Sequence, residues 1–303
     1  MKILLTGPTG FVGRHLIDEL LAGGSLLRVL VRPQSAGKIT AREGLEVVIG
    51  DLVTGEGLTD ALRDIHTVIH LAARTSPASD SLISATNVRG TAHLIDASRR
   101  AEVKRFLFVS TASVLSAHLG AYEKSKLEAE ELVRSSTISF LILRPSLIYG
   151  AGDTKNIGML IRAIKTFPYI PVVGDGTSIM QPLYVDDLTA LIRELCQLPV
   201  WPRRAYTLAG RERISLDECC DKLCNYMGLK KSKVHLPFYP VYYICSFLYR
   251  LGLARIAPIQ LLHLKEGFAC DIRSAIDDLG FRPCSFDEGL GRMFCSGREG
   301  VSQ

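Results

Sequence analysis

The sequence lacks the features that mark nucleic-acid-binding, membrane-spanning and secreted proteins. It contains no block of lysine and arginine and no stretch that interleaves basic and aromatic residues, and its net charge of +5 is spread over 303 residues. Nucleic-acid binding is therefore not expected. No apolar run reaches the roughly 20 residues needed to cross a bilayer. Because an apolar strand pattern, and not a charged and apolar leader, stands at the start, we expect a cytoplasmic protein.

Cysteine is also missing from the first 195 residues, and all eight cysteines lie at or beyond Cys196. None belongs to a CxxC pair, and Cys219, Cys220 and Cys224 follow helical spacing with no histidine at ligand distance in the sequence. This pattern favours reduced, mostly buried thiols over a disulfide framework. We expect no metal site.

What the sequence does contain is a glycine-rich turn close to its start. An apolar run at residues 3–5 leads into the turn, and an amphipathic helical pattern and a second apolar strand at 26–31 follow it. This order is typical of a dinucleotide site, in which the helix N-terminus holds the pyrophosphate; a glycine-rich turn without a ligand seldom has this context. The candidate cofactor-binding residues of the turn are Gly7, Thr9, Gly10, Phe11, Val12 and Gly13.

Apolar β-type runs alternate with helical patterns through the first half of the chain. Continuous apolar strands predict a parallel sheet buried on both faces, and the alternation predicts an α/β, Rossmann-like doubly wound fold. The predicted strands are residues 3–6, 26–31, 46–49, 67–71, 105–110 and 139–143, and the most prominent predicted helices are 81–101 and 122–135.

Two domains are expected. Residues 1–150 are predicted to form the dinucleotide-binding domain, and 178–208 to return to it through a strand at 183–185 and a helix at 186–198. Loop signals after Gly150 and a mostly helical pattern from about 209 predict a smaller, mostly helical substrate lobe made of 151–177 and 209–303.

One segment, residues 237–249, is unusually apolar and is followed by Arg250. It is too short and too interrupted by proline to span a bilayer. Two interpretations stay open. The first and favoured one is a helix of the substrate lobe packed on the core, and the second is a face for the membrane surface or for a partner subunit.

A hydroxyl and a tyrosine–lysine pair follow the fifth predicted strand. Thr111 comes at the end of that strand, and Tyr122 follows it by eleven residues. Tyr122 and Lys126 stand four residues apart and therefore share one face of a helix. Because a lysine ammonium beside a phenol favours the phenolate, we expect Lys126 to lower the pKa of Tyr122. The pair alone would be a solvated helix face, but after a strand end in a dinucleotide fold it predicts a catalytic site of Thr111, Tyr122 and Lys126.

These motifs, in this order, resemble the short-chain dehydrogenase/reductase superfamily, in its extended branch of sugar-nucleotide epimerases, dehydratases and 3β-hydroxysteroid or dihydroflavonol-type reductases. The resemblance implies that Thr111 hydrogen-bonds the reacting oxygen, that Tyr122 is the acid/base, and that Lys126 holds the nicotinamide ribose while tuning Tyr122. The motifs lie at residues 6–13, 50–52, 70–73, 87–91, 122–126, 144–150 and 184–188.

The resemblance also implies further cofactor contacts. Asp51 and Leu52 would flank the adenine, and Ala72 and Ala73 would line the cofactor cleft. Pro145, within the motif that starts at residue 144, is another cofactor-binding candidate, and Tyr122 and Lys126 are cofactor-binding candidates as well as catalytic ones.

Three more residues match family motifs. Asn87 matches an asparagine on the helix beside the site, and both a role in the site and a role as a packing amide stay open. Asp186 and Asp187 match a motif at a helix start, where carboxylates complement the helix dipole. We do not expect these two carboxylates to be catalytic.

The residue at the end of the second strand distinguishes the two nicotinamide dinucleotides. A carboxylate there binds the ribose 2′-hydroxyl of NAD and repels a 2′-phosphate. This strand is followed instead by Arg32, with Lys38 further on, and a guanidinium suits a phosphate by its charge and its fork of donors. We predict NADP(H) over NAD(H).

Two departures from the family pattern bear on function. Sugar-nucleotide epimerases and dehydratases usually carry an asparagine shortly after the arginine that corresponds to Arg144, whereas Pro145 and Ser146 follow here; this favours the reductase-like branches. The segment 112–121 is also much shorter than in most extended members. This short segment, together with residues 167–176 and 181–187, resembles bacterial relatives of the NAD(P)-binding accessory subunit of respiratory complex I, which binds its nucleotide in a structural capacity.

The leading hypothesis is an NADP(H)-dependent oxidoreductase that acts on a carbonyl or secondary alcohol by hydride transfer, since a purely structural binder has no chemical need for Thr111, Tyr122 and Lys126 together. A sugar-nucleotide epimerase or dehydratase using the same residues is the alternative among enzymes. A non-enzymatic NADPH-binding scaffold or assembly protein is the alternative outside them. The expected partner is a small-molecule substrate, and a homo-oligomer is also considered.

Overall fold

The computed structural model of the protein describes residues 1–75, 79–254 and 257–296. Its strands are β1 (Lys2–Thr6), β2 (Leu26–Val31), β3 (Leu45–Ile49), β4 (Thr67–His70), β5 (Arg105–Val109), β6 (Ser139–Pro145), β7 (Ile148–Tyr149), β8 (Ile170–Val173), β9 (Ile179–Met180), β10 (Leu183–Tyr184), β11 (Ala205–Leu208), β12 (Ile214–Ser215) and β13 (Lys233–Leu236). Its α-helices are α1 (Phe11–Ala22), α2 (Leu58–Ala61), α3 (Asp80–Ser84), α4 (Gly90–Arg100), α5 (Ala121–Ser135), α6 (Asn156–Thr166), α7 (Val185–Gln197), α8 (Leu216–Met227), α9 (Phe238–Arg250), α10 (Pro258–Glu266), α11 (Arg273–Leu279) and α12 (Phe286–Ser296).

The chain divides into two compact units. The first comprises residues 1–115, 119–145 and 188–207, and the second comprises 116–118, 146–187 and the chain from 208 onward.

A seven-stranded parallel sheet forms the centre of the first unit, in the order β3-β2-β1-β4-β5-β6-β11. Its strands are apolar on both faces, and Ile3, Leu4 and Leu5 of β1 are fully buried, as a sheet covered by helices on both sides requires. The α/β, doubly wound fold predicted from the sequence is confirmed.

The strand order reverses between β1 and β4. From β1 the chain builds outward through β2 and β3, and it then returns to β4 on the other side of β1 and continues through β5 and β6. In sheets of this type, ligands bind in the crevice at the carboxyl ends of the strands where the order reverses. The loops that follow β1, β4 and β5 therefore carry the candidate site.

The helix expected at residues 81–101 contains a change of helical type. It runs as α3, then as a π-helical segment, Ala85–Arg89, and then as α4. A π-helical turn takes one more residue than an α-helical turn and rotates the side chains that follow it, and such turns are frequent at functional sites.

The strand expected at 183–185 differs in its pairing from the prediction that it returns to the large sheet. The structure has a two-residue strand, β10, that pairs with β7 in a separate two-stranded sheet. The outer edge of β6 is instead occupied by β11, since the Ile142 N–H donates to the Arg204 carbonyl at 3.0 Å.

The second unit combines short strand pairs with helices α6 and α8 to α12. β8 pairs with β13 in parallel, and β9 pairs with β12 antiparallel. Its core contains Tyr149, Ile164, Cys219 and Leu223, each at most 1% exposed.

Helix α9 contains most of the apolar segment 237–249, and its outward side chains are uncovered. No residue of α9 is buried, and Tyr239, Tyr243, Ile244 and Phe247 are 59–66% exposed. Among the described residues, no helix is both long enough and apolar enough to cross a membrane.

Candidate functional site

The glycine turn between β1 and α1 leaves no room for side chains. Gly7 has a φ of +74°, and a Cβ at this position would lie 2.7 Å from the Ala72 nitrogen. A Cβ at Gly13 would lie 2.3 Å from the Gly7 carbonyl oxygen, so only glycine lets α1 pack this closely on the turn. Gly10 caps α1 without a side-chain acceptor for the first N–H groups of the helix. These groups and the helix dipole fit the pyrophosphate of a dinucleotide.

The other cofactor candidates lie on neighbouring loops of the same unit. Arg32 follows β2 with an exposed side chain at the start of a short 3-10 turn, Pro33–Lys38. Asp51 follows β3, and its carboxylate accepts a hydrogen bond from the Val53 N–H at 2.7 Å. Leu52 is 8% exposed and its side chain belongs to the hydrophobic core of the first unit.

The remaining candidates differ in how accessible they are. Thr9, Phe11 and Val12 in the glycine turn and Ala72 after β4 are half-buried, Ala73 is exposed, and Pro145 is buried at the end of β6.

A buried hydrogen-bond chain joins the ends of β1 and β4 to α4. The Thr91 hydroxyl donates to the Asn87 carbonyl at 2.6 Å, so its oxygen accepts the Nε2–H of His70 at 3.0 Å. His70 Nδ1 is then unprotonated and accepts from the Thr6 hydroxyl at 2.6 Å, whose oxygen accepts from the Ala72 N–H at 3.2 Å. The chain assigns the Nε2–H tautomer. Burial lowers the pKa of His70 to about 3, which keeps the ring neutral.

The side-chain amide of Asn87 connects the loop after β4 to α5. Its oxygen accepts the Arg74 N–H at 2.7 Å, and its nitrogen donates to the Arg74 carbonyl at 3.0 Å. The same nitrogen donates to the Ser125 hydroxyl at 2.9 Å, and Ser125 donates to the Tyr122 carbonyl at 2.7 Å. Asn87 therefore acts in the structure as a bridging amide beside the Tyr122 turn of α5.

Lys126 is 2% exposed and lies against the end of β5. Its ammonium donates to the Val109 carbonyl at 2.7 Å and sits 4.0 Å from the centre of the Phe108 ring. Burial lowers the pKa of Lys126 to about 7, and the charge of Glu130 acts in the opposite direction. Because Val109 stands two residues before Thr111, Lys126 lies at the same strand end as the predicted hydroxyl.

Glu130, one turn after Lys126, is another buried charged residue of this helix. Its side chain is 0% exposed, and it accepts from the Arg144 Nε at 2.9 Å and from the Arg134 Nη2 at 3.0 Å. Hydrogen bonds from Arg144, with the charges of Arg144 and Arg134, offset the effect of burial, so the pKa of Glu130 is lowered. A carboxylate held by two guanidiniums stays ionised beneath Lys126.

Thr111 begins a short network that reaches the start of α5. Its hydroxyl lies 2.9 Å from the Ser113 hydroxyl, and Ser113 donates to one carboxylate oxygen of Glu123 at 3.3 Å. The other oxygen of Glu123 accepts the Gly120 N–H at 3.0 Å. Glu123 thus ties the Thr111 loop to the helix that carries Tyr122.

The expectation that Lys126 lowers the pKa of Tyr122 is wrong for this arrangement. Burial, with a smaller contribution from the charge of Glu123, raises the pKa of Tyr122. Tyr122 is therefore a protonated phenol at neutral pH.

Asp186 and Asp187 lie in the first turn of α7. The Asp187 carboxylate accepts the Cys284 N–H at 2.8 Å and lies 3.6 Å from an Arg292 nitrogen. Both contacts are within the second unit, and this use as a helix-start carboxylate agrees with the prediction that Asp187 is structural.

Comparison with known proteins identifies the family. Residues 3–202 match the model of the NAD dependent epimerase/dehydratase family. A ceramide reductase from Caulobacter vibrioides (strain NA1000 / CB15N) is 32% identical over 235 residues, which cover 78% of this chain and 73% of the relative. The chain belongs to the NAD dependent epimerase/dehydratase family. The expectations of an NAD(P)-dependent enzyme family and of the extended short-chain dehydrogenase/reductase type are confirmed.

Two further similarities bear on the predicted class. The mitochondrial NADH dehydrogenase [ubiquinone] 1 alpha subcomplex subunit 9 of Dictyostelium discoideum is 27% identical over 236 residues, covering 76% of this chain and 65% of that protein. The crystal structure of a dTDP-glucose 4,6-dehydratase from Streptomyces venezuelae, which has NAD bound, superimposes with a TM-score of 0.77 at 23% identity and covers 99% of this chain and 98% of that one. The second similarity shows the fold alone.

Sequence reasoning missed the supporting residues of the site. His70 reads as one more member of a buried strand, and only the hydroxyls of Thr6 and Thr91, 64 and 21 residues away, give it a role. Glu130 had a local signal, because it follows Lys126 by four residues on the same helix face. Its pairing with Arg144 depends on the tertiary fold.

Proposed function

We propose that the protein is an NADP(H)-dependent oxidoreductase that reduces a carbonyl or oxidises a secondary alcohol, with Thr111, Tyr122 and Lys126 as catalytic residues. The observation that carries the proposal is the position of Lys126, whose buried ammonium is bonded to the Val109 carbonyl just before Thr111. Lys126 therefore lies at the end of β5 from which Thr111 follows, and Tyr122 lies one turn before Lys126 on α5. The glycine turn after β1 would hold the dinucleotide.

A nicotinamide dinucleotide held by the glycine turn would supply or accept the hydride. The protonated Tyr122 phenol gives its proton to the oxygen that becomes an alcohol, and it takes that proton back in the oxidative direction. The Thr111 hydroxyl donates a hydrogen bond to the same oxygen as charge develops on it. Lys126, when protonated, places a positive charge at the same strand end and stabilises the negative charge that develops on this oxygen.

The proposal is tested by Tyr122→Phe, which removes the proton but keeps the ring. We expect turnover to fall by roughly 10² to 10⁴-fold across a panel of long-chain ketones with NADPH, with unchanged NADPH affinity and melting temperature. Tyr169→Phe, at a 47% exposed tyrosine, is the control. Wild-type protein that binds NADPH but reduces no ketone would favour a scaffold. Retained nucleotide and interconversion of UDP-sugars without net NADPH oxidation would favour an epimerase.

The preference for NADP(H) is supported by Arg32, exposed at the end of β2. We expect Arg32→Asp to weaken NADPH binding by about tenfold or more while NADH binding is kept or improved, because a carboxylate repels the 2′-phosphate. Arg42→Asp, further from β2 in sequence, is the control. An unchanged ratio of the two affinities in a binding titration would refute the assignment to Arg32.

For the substrate, we propose a long-chain lipid ketone that the protein reaches at a membrane surface through α9. The ceramide reductase similarity and the exposed aromatic side chains of α9 support this, as does Lys265, whose ammonium lies 4.4 Å from the ring centre of Tyr239 and can face lipid phosphates. Interfacial helices combine aromatic and basic groups in this way.

A vesicle sedimentation experiment tests the membrane contact. We expect wild type to pellet with vesicles containing phosphatidylglycerol, and Phe247→Asp to stay in the supernatant. Val200→Asp, at a residue 76% exposed in the first unit, should pellet like wild type. The wild-type protein could instead fail to bind vesicles and form dimers that Phe247→Asp abolishes. The exposed face of α9 would then bind a second copy of the chain, and the membrane proposal would be refuted.

A further inference from the structure

An open cleft of about 630 Å³ in the second unit carries a concentration of positive charge. Four arginines line it, and Cys270 and Phe281, 4% and 2% exposed, contribute apolar surface. The arginines are Arg211, Arg213, Arg273 and Arg282. None of them belongs to the site proposed above.

The positive charge of this arginine cleft is largely uncompensated. The lining contains four arginines and one carboxylate, Asp271, which leaves +3 on these residues, while the whole chain carries +5. Arg273 is already paired with Asp271 through its Nε at 3.0 Å and its Nη2 at 2.6 Å.

The other three guanidiniums have no carboxylate partner, and one of them, that of Arg213, donates to the Cys270 carbonyl at 3.4 Å. Within the described ranges, no carboxylate oxygen lies within 4 Å of the side-chain nitrogens of Arg211, Arg213 or Arg282. The Glu288 carboxylate accepts the Ser285 N–H at 2.7 Å. This hydrogen bond and, to a smaller extent, the charge of Arg211 lower the pKa of Glu288. Like charges gathered in one concave surface repel one another and raise the local concentration of anions.

Buried hydrogen bonds hold the walls of the cleft in place. Gln181 is 4% exposed; its amide nitrogen donates to the Gly210 carbonyl at 2.7 Å, and its oxygen accepts the Cys270 N–H at 2.9 Å. The loop that carries Arg211 and Arg213 is thereby fixed to the segment that carries Asp271 and Arg273.

We propose that the arginine cleft binds the phosphate or diphosphate group of an amphiphilic ligand. Guanidinium forks match phosphate oxygens in pairs, and three guanidiniums without carboxylate partners suit a group with several anionic oxygens. Ile276, which is 43% exposed, and Pro283, which also lines the cleft, offer apolar surface to a hydrocarbon portion next to the phosphate. Inorganic phosphates and phosphorylated lipids carry the same anionic oxygens. They differ in the hydrocarbon portion, which only the lipids have.

Calorimetric titration with geranyl diphosphate, inorganic pyrophosphate and geraniol tests the proposal. We expect geranyl diphosphate to bind about tenfold tighter than pyrophosphate and far tighter than geraniol. The double variant Arg211→Gln with Arg282→Gln should weaken the binding of geranyl diphosphate by at least about tenfold. It should leave NADPH affinity and the melting temperature unchanged, because the substituted side chains are exposed.

The matched control removes the same charge elsewhere. Arg63→Gln with Arg100→Gln, two exposed arginines of the first unit, should bind geranyl diphosphate within about twofold of wild type. If both double variants bind geranyl diphosphate equally weakly, the effect comes from net charge and the proposed site is overturned. The site is also overturned if wild type does not bind geranyl diphosphate, or if NADPH displaces it completely. Pyrophosphate binding as tight as that of geranyl diphosphate would overturn the hydrocarbon part of the proposal.

Discussion

Polar groups are used in opposite ways at the ends of β4 and β5 and in the second unit. In the first unit, His70, Asn87, Lys126 and Glu130 are at most 2% exposed, and each is hydrogen-bonded within the protein. In the second unit, three of the four arginines that line an open cleft have no carboxylate partner, and aromatic side chains of α9 face outward. Buried and satisfied groups hold the fold, whereas exposed and unsatisfied groups are available to bind other molecules. Substitutions in the first region should therefore cost stability, and those in the second should cost binding.

The strongest test of this contrast is Glu130→Gln. Its carboxylate is held by Arg144 and Arg134 with no exposure, so removing the charge leaves Arg144 partly buried without its counter-ion. We expect the free energy of unfolding to fall by about 3 to 5 kcal/mol in urea titrations.

Glu131→Gln is the matched control one residue further on. Glu131 is 71% exposed and pairs with the other side of Arg134 at 2.9 Å, and exposed pairs contribute little. Comparable losses in the two variants would contradict the assignment of stability to the buried carboxylate.

Acidification tests His70. Its pKa is lowered from 6.5 to about 3 in the folded protein, so between these values the unfolded chain binds a proton that the folded chain does not. The contribution of His70 to the free energy of unfolding is fully present above pH 6.5 and is lost as the pH falls towards 3. At pH 4 we expect a loss of about 3 kcal/mol from this residue. His70→Gln should have a flatter pH dependence in this window and exposed His235→Gln should follow wild type; identical slopes in all three would refute it.

Asn87→Ala tests the bridging amide. It leaves the Arg74 backbone groups and the Ser125 hydroxyl without their partner, and we expect a loss of about 1 to 3 kcal/mol of unfolding free energy. Asn156→Ala, which removes an exposed asparagine with one 3.2 Å bond to the Ile148 carbonyl, is the control. A loss no greater than that of the control would mean that the bridge contributes nothing.

The smallest effect is expected on α9. Phe247 is 63% exposed, and Phe247→Ser should change the unfolding free energy by no more than about 0.5 kcal/mol. Replacing Phe106, which is fully buried, with alanine should lower the free energy of unfolding by about 3 to 5 kcal/mol. A large destabilisation by Phe247→Ser in thermal unfolding would place α9 in the core and remove the contrast.

The fold was readable because its signals are local. The buried strands and the glycine turn stand within a few residues of one another, and the six strands predicted in the first half agree with β1 to β6 within two residues at each end. The seventh strand, Ala205–Leu208, was missed. That this strand, and not β10, pairs with the edge of β6 depends on the tertiary fold.

The sequence predicted which residues form the candidate site better than it predicted their pKa values. The four-residue spacing of Tyr122 and Lys126 predicts a shared helix face, yet the ammonium is bonded to the Val109 carbonyl, and burial outweighs the expected effect on the phenol. Desolvation depends on every neighbour of a group, and a sequence does not show those neighbours.

The place of β11 in the sheet has a consequence for how the chain is made. β6 ends at Pro145, but the strand that covers its outer edge is not complete until Leu208. During synthesis, the apolar edge of β6 therefore stays open while about sixty further residues are added, which takes several seconds at ordinary translation rates. Open strand edges are templates for pairing with other chains, so the nascent protein is most exposed to aggregation, and most dependent on chaperones, in that interval.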